Sequence, residues 1–299
     1  MTTPQLFHID SFTTTPFRGN PAGVVLDADS LSEARMQDIA RELKHSETAF
    51  VLKPVGSDHD VHIRYFTPTT EVPICGHATI AAHYARAKWL GLGEHVIRQK
   101  TGAGIQEIAV RRQGDDYRIT MQQGAISFGE CIAGVYRERI ASALGLTSNA
   151  LVASLPVQVV STGHSKVIVP LRDGVDLDGL VPDNAALTEL SGLIGCNGYF
   201  PYLIRNGDTA ATDGRMFAPA IGIAEDPVTG NANGPLGAYL VKYGLMRHDD
   251  RRLSFEGHQG RAIRRDGIVH VTVDIEAGEP KQVSIHGDAV LLFTAALTI

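Results

Sequence analysis

Apolar and polar positions alternate over residues 5–12, the period of a strand with one buried face. Val24-Val25-Leu26 is a second short apolar run. Ser30-Leu31-Ser32-Glu33 reads as a capping box, in which Ser and Glu side chains satisfy open helix N–H groups. It opens a helix to about Leu43 with Met36, Ile39, Ala40 and Leu43 on one face. Strands are expected over 48–52 and 61–66. The stretch 78–90 is helical, and Ala78, Ile80, Ala81, Ala82, Ala85 and Trp89 make it apolar on most sides, which predicts burial. Further strands are expected over 95–100, 105–111 and 117–121, and a helix over 135–144.

The second half follows the same plan. Strands are expected at 157–160 and 167–169, a helix at 185–193, and strands at 200–205 and 214–217. A small apolar helix is expected over 232–243. Strands follow at 253–256, 260–265, 269–275, 282–286 and 289–297. Many short strands with few helices predict an α+β fold rather than a regular parallel βαβ sheet.

An internal repeat sharpens this reading. Arg64-Tyr65-Phe66-Thr67-Pro68 matches Arg215-Met216-Phe217-Ala218-Pro219, and the stretch from Glu71 to Ala78 matches that from Glu225 to Ala232 as Glu-x-Pro-x-x-Gly-x-Ala. Seven identities in one order imply two copies of one lobe. The expected division is 1–126 and 127–287, with a C-terminal strand 288–299 as a candidate to complete the first lobe.

Composition narrows the class of partner. The 299 residues carry 27 Lys+Arg against 33 Asp+Glu, a net charge of -6, with no basic run. Nucleic acid and anionic membrane are therefore not expected partners. No apolar stretch reaches the length of a membrane span. Residues 1–10 lack a charged segment followed by a long apolar core, so no secretory signal is expected. Three widely spaced cysteines, Cys75, Cys131 and Cys196, fit reduced thiols and a cytoplasmic location.

Common motifs are missing. Gly163-His164-Ser165-Lys166 lacks the spacing of a phosphate loop, and Gly102-Ala103-Gly104 lacks the third glycine of a dinucleotide fingerprint. His59 and His62 beside Asp60 read as a solvated loop-to-strand pair rather than a metal site.

The repeated junction is where chemistry gathers. Each copy sets a Gly and small residues before a buried helix, whose first N–H groups can hold an anion. Cys75 pairs with Thr229, His77 with Asn231 and Val72 with Asp226, so the two junctions differ chemically. Taken locally, Asp226 also fits a turn residue, His77 a capping or surface residue, and Cys75 a packed thiol. Glu47 follows a helix and precedes an apolar strand. It reads as a solvated carboxylate, or, if desolvated, as a proton carrier near neutral pH.

Gly19-Asn20-Pro21-Ala22-Gly23, Ser46-Glu47-Thr48-Ala49-Phe50, Arg64-Tyr65-Phe66-Thr67-Pro68, Cys75-Gly76-His77-Ala78-Thr79 and Asp226-Pro227-Val228-Thr229-Gly230 occur in this order. Together they resemble the phenazine-biosynthesis-like (PhzF-like) isomerase family of the diaminopimelate epimerase superfamily, over essentially the whole chain. Gly230-Asn231-Ala232-Asn233-Gly234-Pro235 resembles an enterobacterial branch of uncharacterised isomerases. The resemblance implies two pseudo-symmetric lobes, each a curled, barrel-like mixed sheet around a central helix, with the active site between them. It implies proton transfer without cofactor or metal. Glu47 matches the family's acid/base, and His77 and Asp226 match residues that orient the substrate. Gly76 and Gly230 match backbone positions at the helix starts, and Asn20, Cys75 and Asn231 complete the expected substrate-binding set. Asn231 stands where many members have Ser. Superfamily racemases use a cysteine from each lobe, and Thr229 opposite Cys75 disfavours that chemistry here.

The expected activity is an isomerase that moves a proton on a small carboxylate-bearing metabolite, with Glu47 as general acid/base. A homodimer is the symmetric default for such an enzyme. A racemase or epimerase using Cys75, and a non-catalytic metabolite-binding protein, are the rival readings.

Overall fold

Among the residues that the computed structural model describes, 4–207 and 209–298, the chain forms five α-helices. They are α1 (Glu33–Leu43), α2 (Gly76–Leu90), α3 (Gly134–Ala143), α4 (Asn184–Ile194) and α5 (Gly230–Lys242). The chain divides into two units, Met1–Gln122 with His286–Ile299, and Gln123–Ile285. The division falls inside the long strand Glu279–Ala296. The expected closing strand over 288–299 is described as far as residue 298.

The first unit is a ring of eight strands around α2. Gln5–Ser11 pairs antiparallel with Asn20–Leu26, which runs parallel to Thr48–Leu52. Val61–Phe66 joins antiparallel, and His95–Thr101 runs parallel to it. Gly104–Gln113 and Asp116–Gln122 follow as hairpins. Asp116–Gln122 pairs with Glu279–Ala296, whose end returns to Gln5–Ser11 and closes the ring. Closure pairs the first and last strands of the ring with each other, so neither is left as an edge strand. The ring also explains the composition of α2: strands surround it, so Ala78, Ile80, Ala81, Ala82, Ala85 and Ala87 are all buried. Trp89, expected among the buried residues, is 52% exposed because it lies in the last turn, where α2 leaves the ring. Outside the ring, α1 packs Met36, Ile39 and Ala40 with Phe50 and Phe66.

The second unit repeats this order of pairings. Val157–Thr162 pairs antiparallel with Ser165–Pro170, which runs parallel to Tyr199–Ile204. Ala211–Gly214 and Met216–Ala218 stand where the first unit has Val61–Phe66, with Ala211–Gly214 running parallel to Arg252–Gln259. The helix α5 takes the place of α2 and is buried through most of its length. A separate core forms where α3 and α4 bring Ile140, Leu144, Leu187 and Leu190 against Val167, Val169 and Tyr199.

The strand registers align the two copies residue by residue. Thr48 faces Phe66 in the first unit, and Tyr199 faces Phe217 in the second. Gly23 faces Thr48, and Val167 faces Tyr199. The repeated Arg and Glu serve one purpose in both units. Arg64 grips Glu71 through Nε at 2.7 Å and Nη2 at 2.6 Å, and Arg215 grips Glu225 at 2.9 and 2.7 Å. Each guanidinium also lies over the repeated phenylalanine, at 5.1 Å for Phe66 and 4.9 Å for Phe217. This planar fork ties the strand before the junction to the segment that leads into the helix.

Several local expectations change. The cap of α1 is Ser32, whose Oγ accepts from Arg35 N, while Ser30 ends a short 3-10 turn. Residues 260–265 form a turn rather than a strand. Gly260 and Arg264 both have left-handed backbone (φ 87° and 58°), and Arg265 N returns to Gly260 O. The two strands expected over 282–297 are one, and the strand expected over 214–217 breaks at Arg215. Ile126–Ile132 and Ile223–Asp226 are strands that the apolar pattern did not announce. His59 is buried, not solvated: its Nδ1 meets Asp58 at 2.6 Å and its Nε2 accepts from Val55 N.

Candidate active site

Glu47 stands in the link between α1 and Thr48–Leu52. Lys44 ends α1 in the left-handed conformation (φ 57°), so the chain turns sharply and enters the strand with Glu47 just ahead of it. The Glu47 side chain is 15% exposed. Loss of water raises its pKa above the ordinary glutamate value, and the Ser46 and Cys75 side chains draw it partly back.

The start of α2 supplies its neighbours. Cys75 is the N-cap residue but makes no side-chain cap, so its thiol is turned to other use. His77 Nδ1 lies 3.3 Å from Cys75 Sγ, and its Nε2 lies 3.3 Å from Ser46 Oγ and 3.5 Å from Glu47 Oε2. The His77 ring is buried, and its backbone carbonyl accepts from Ser11 Oγ at 2.8 Å. Ser11 pairs across the sheet with Asn20, which ties Asn20 to the same helix start. Behind the helix start, Thr79 Oγ1 bonds Cys75 O at 2.7 Å and Tyr65 OH at 2.6 Å. Glu47, Cys75, His77, Gly76 and Asn20 thus share one region of the first unit. The ligand atoms of Glu47, Cys75 and His77 lie within 4.8 Å of one another, close enough to hold a metal ion as well as to pass a proton.

The second unit carries Asp226, Gly230 and Asn231. The Asp226 carboxylate accepts a short hydrogen bond from Thr229 Oγ1. Gln259 fixes this turn from a distant strand: its Nε2 donates to Asp226 O at 2.8 Å and Thr229 Oγ1 at 3.0 Å, and its Oε1 accepts from Thr229 N at 3.0 Å. Gln123 Nε2 donates to the Gly230 carbonyl at 2.9 Å. The chemical asymmetry read from the repeat is therefore built in. Where the first unit has a thiol beside an imidazole, the second has a hydroxyl committed to a carboxylate.

Ser11, Gln123 and Gln259 support these groups and carry no signal in the sequence. Only the pairing of strands brings Gln259 to Thr229, 30 positions away. Ser46 was visible as part of the Ser-Glu-Thr-Ala-Phe run but not as a partner of His77.

The sequence profile of phenazine biosynthesis-like proteins (PhzC-PhzF) matches residues 9–295. The chain belongs to the PhzC-PhzF family. The uncharacterized isomerase YddE of Salmonella typhimurium is 57% identical over 296 residues, covering 99% of both chains. The trans-2,3-dihydro-3-hydroxyanthranilate isomerase of Pseudomonas chlororaphis is 32% identical and covers 94% of this chain and 95% of its own. A Bacillus anthracis phenazine biosynthesis protein of the PhzF family has a crystal structure that matches with a TM-score of 0.89 at 36% identity, over 100% of both chains. The PhzC-PhzF family is one of isomerases, and its fold is the mixed α+β arrangement described above.

Proposed function

We propose that this PhzC-PhzF protein moves a proton between carbons of a small carboxylate-bearing metabolite, with Glu47 as the acid/base and without a cofactor. The observation that carries this reading is the placement of a desolvated Glu47 carboxylate 3.5 Å from His77 Nε2 at the start of a buried helix. A carboxylate with a raised pKa takes a proton from carbon and returns it more readily than a solvated one. His77 holds Glu47 in place and polarises the substrate. The open N–H groups at the start of α2 suit a carboxylate, since Cys75 gives them no side-chain cap. Asp226 orients the substrate, the role that its family position implies. The relative named as acting on trans-2,3-dihydro-3-hydroxyanthranilate makes a ring acid the first class to try.

The test is Glu47→Gln. This variant folds, still binds small acids and no longer exchanges carbon-bound hydrogen with solvent. Exchange at the wild-type rate removes Glu47 from the role.

A second reading has one observation in its favour: Cys75 Sγ lies 3.3 Å from His77 Nδ1, within reach of a ring nitrogen that could take the thiol proton. Against it, the counterpart of Cys75 is Thr229, which donates to Asp226 and offers no second thiol. A racemase that uses Cys75 would lose as much activity in Cys75→Ala as in Glu47→Gln.

A further inference from the structure

Glu47, Cys75 and His77 fit a second chemistry besides proton transfer. A thiol, an imidazole and a carboxylate are ligands that zinc takes in proteins, whereas hard ions such as magnesium take oxygen alone. The spacing fits as well. Neighbouring ligands of a tetrahedral zinc ion lie about 3.5 Å apart. His77 Nδ1 stands 3.3 Å from Cys75 Sγ, and His77 Nε2 stands 3.5 Å from Glu47 Oε2. One ring nitrogen binds one ion, so an ion keeps only one of these separations. The three ligand atoms nevertheless all lie within 4.8 Å of one another. A shift of about an ångström in the remaining side chain closes the set.

Three further features favour an ion. Two of the ligands are anchored. Thr79 Oγ1 donates to the Cys75 carbonyl at 2.7 Å and Ser11 Oγ to the His77 carbonyl at 2.8 Å, which fixes both backbones at the start of α2. Glu47 comes from the link before the strand, so its longer side chain is the one that closes. The second feature is an unspent acceptor. Glu47 Oε2 is sealed from water and accepts no hydrogen bond among the described residues, a state that a bound cation relieves. The third is charge. A thiolate and a carboxylate together cancel the two charges of zinc, so the filled site is neutral, as burial requires. The open N–H groups of α2 favour the thiolate. The junction in the second unit has Thr229 and Asn231 in place of Cys75 and His77, and so offers no soft ligand.

We propose that Glu47, Cys75 and His77 form an inhibitory zinc site in the first unit. Cys75 Sγ, one nitrogen of His77 and the Glu47 carboxylate bind the ion, and water takes the fourth position. The thiol proton leaves to solvent, with the carboxyl proton where Glu47 carries one. The exposed part of the Glu47 side chain marks the way in. With zinc bound, Glu47 has no lone pair to take a proton from carbon, and a chelator restores it. The protein is thus active when free of the metal and silent when loaded. This consequence rests on the acid/base role of Glu47 proposed above, whereas the binding of the ion does not.

The experiment is a titration with Co²⁺, which takes the ligands of zinc and is coloured. It uses Cys131→Ser, which removes the exposed thiol and leaves the site intact. One equivalent is expected to give a thiolate-to-cobalt charge-transfer band and the strong visible bands of a four-coordinate ion. Zn²⁺ should abolish both, and Mg²⁺ neither. Adding Cys75→Ser should remove the charge-transfer band. Adding Glu47→Gln should keep that band and weaken binding roughly tenfold or more. No charge-transfer band, a band that survives Cys75→Ser, or unchanged affinity in Glu47→Gln overturns the proposal. Zinc X-ray absorption of the Cys131→Ser protein needs no change at the site. It should show one sulfur and one imidazole among the ligands, and a shell with no sulfur or with several overturns the proposal. The two readings fail separately. Hydrogen exchange by Glu47→Gln in metal-free buffer reports on the acid/base role, and the cobalt spectrum reports on the ligand set whatever the reaction.

Discussion

His77 Nε2 stands 3.5 Å from Glu47 Oε2, while Nδ1 of the same ring meets Cys75 Sγ at 3.3 Å. One imidazole thus links a carboxylate to a thiol, and its tautomer decides which of the two it supports. Protonated at Nε2, it donates toward Glu47 and accepts from the thiol. Protonated at Nδ1, it turns no N–H toward Glu47, which keeps the Ser46 and Cys75 side chains as partners. The isomerase reading requires the first state and a thiol that stays protonated. Cys75→Ser keeps a donor toward Nδ1, so its solvent-exchange rate should fall far less than that of Glu47→Gln. General acid/base catalysis by one group is worth about 10²–10⁴-fold, which sets the loss expected of Glu47→Gln.

Burying Glu47 has a cost that should be measurable as stability. Its folded pKa lies above its unfolded value, so its contribution is fully present below the unfolded pKa and is lost as pH rises through the folded one. Glutamine mimics the protonated acid. Glu47→Gln should therefore match wild type near pH 4 and be more stable at pH 8. Denaturant midpoints at the two pH values check this, and a variant less stable than wild type at pH 8 contradicts it.

His83, fully buried in α2, has the opposite sign. Burial pulls its pKa down to about 3, with Arg86 adding to the shift and Gln99 opposing it. Its Nε2 lies 2.8 Å from Gln99 Oε1. A depressed histidine contributes stability that is present above the unfolded value of 6.5 and is lost as pH falls toward 3. By pH 5 the loss should be about 2 kcal/mol. Replacing His83 with Gln should flatten the stability profile between pH 7 and pH 5, read by denaturant titration.

The repeated Arg–Glu fork offers an internal comparison. Arg215 and Glu225 are 7% and 11% exposed, whereas Arg64 and Glu71 are 20% and 39% exposed. Arg215 also donates to the carbonyls of Leu177, Asp178 and Leu180. Removing one partner of a buried pair costs about 3 kcal/mol or more, and of an exposed pair about 1 kcal/mol or less. Chemical denaturation should find Glu225→Gln the more damaging of the matched substitutions Glu225→Gln and Glu71→Gln. Equal losses would mean that the fork serves both junctions alike, whatever its burial.

Much of the fold is legible in the sequence because periodicity and turn residues are local. Thr48–Leu52 and Val61–Phe66 end where their apolar runs end. The repeat is legible because both junctions reuse one Arg–Phe–Glu fork, so selection for one geometry left the same letters twice. Residues 260–265 misled because alternating side chains describe a strand only where the backbone stays extended, and two left-handed residues fold this segment back. Ile126–Ile132 stayed hidden because Ser127, Gly129 and Glu130 interrupt its apolar pattern, and the pairing with Val157–Thr162 supplies the strand. The chemistry of the site divides in the same way. Glu47, Cys75 and His77 stand out beside turns and a helix start. Gln259 does not, because its significance lies in which strands pair and in which register.

On the proposed function, Glu47 moves a carbon-bound proton on a small carboxylate. The most direct measurement incubates wild type and Glu47→Gln in D₂O with the small-acid fraction of a bacterial extract and follows deuterium by mass spectrometry. Wild type should place deuterium on carbon in one acid, and Glu47→Gln should place none while still binding that acid. Deuterium entering the same acid at the same rate with both proteins would contradict the claim.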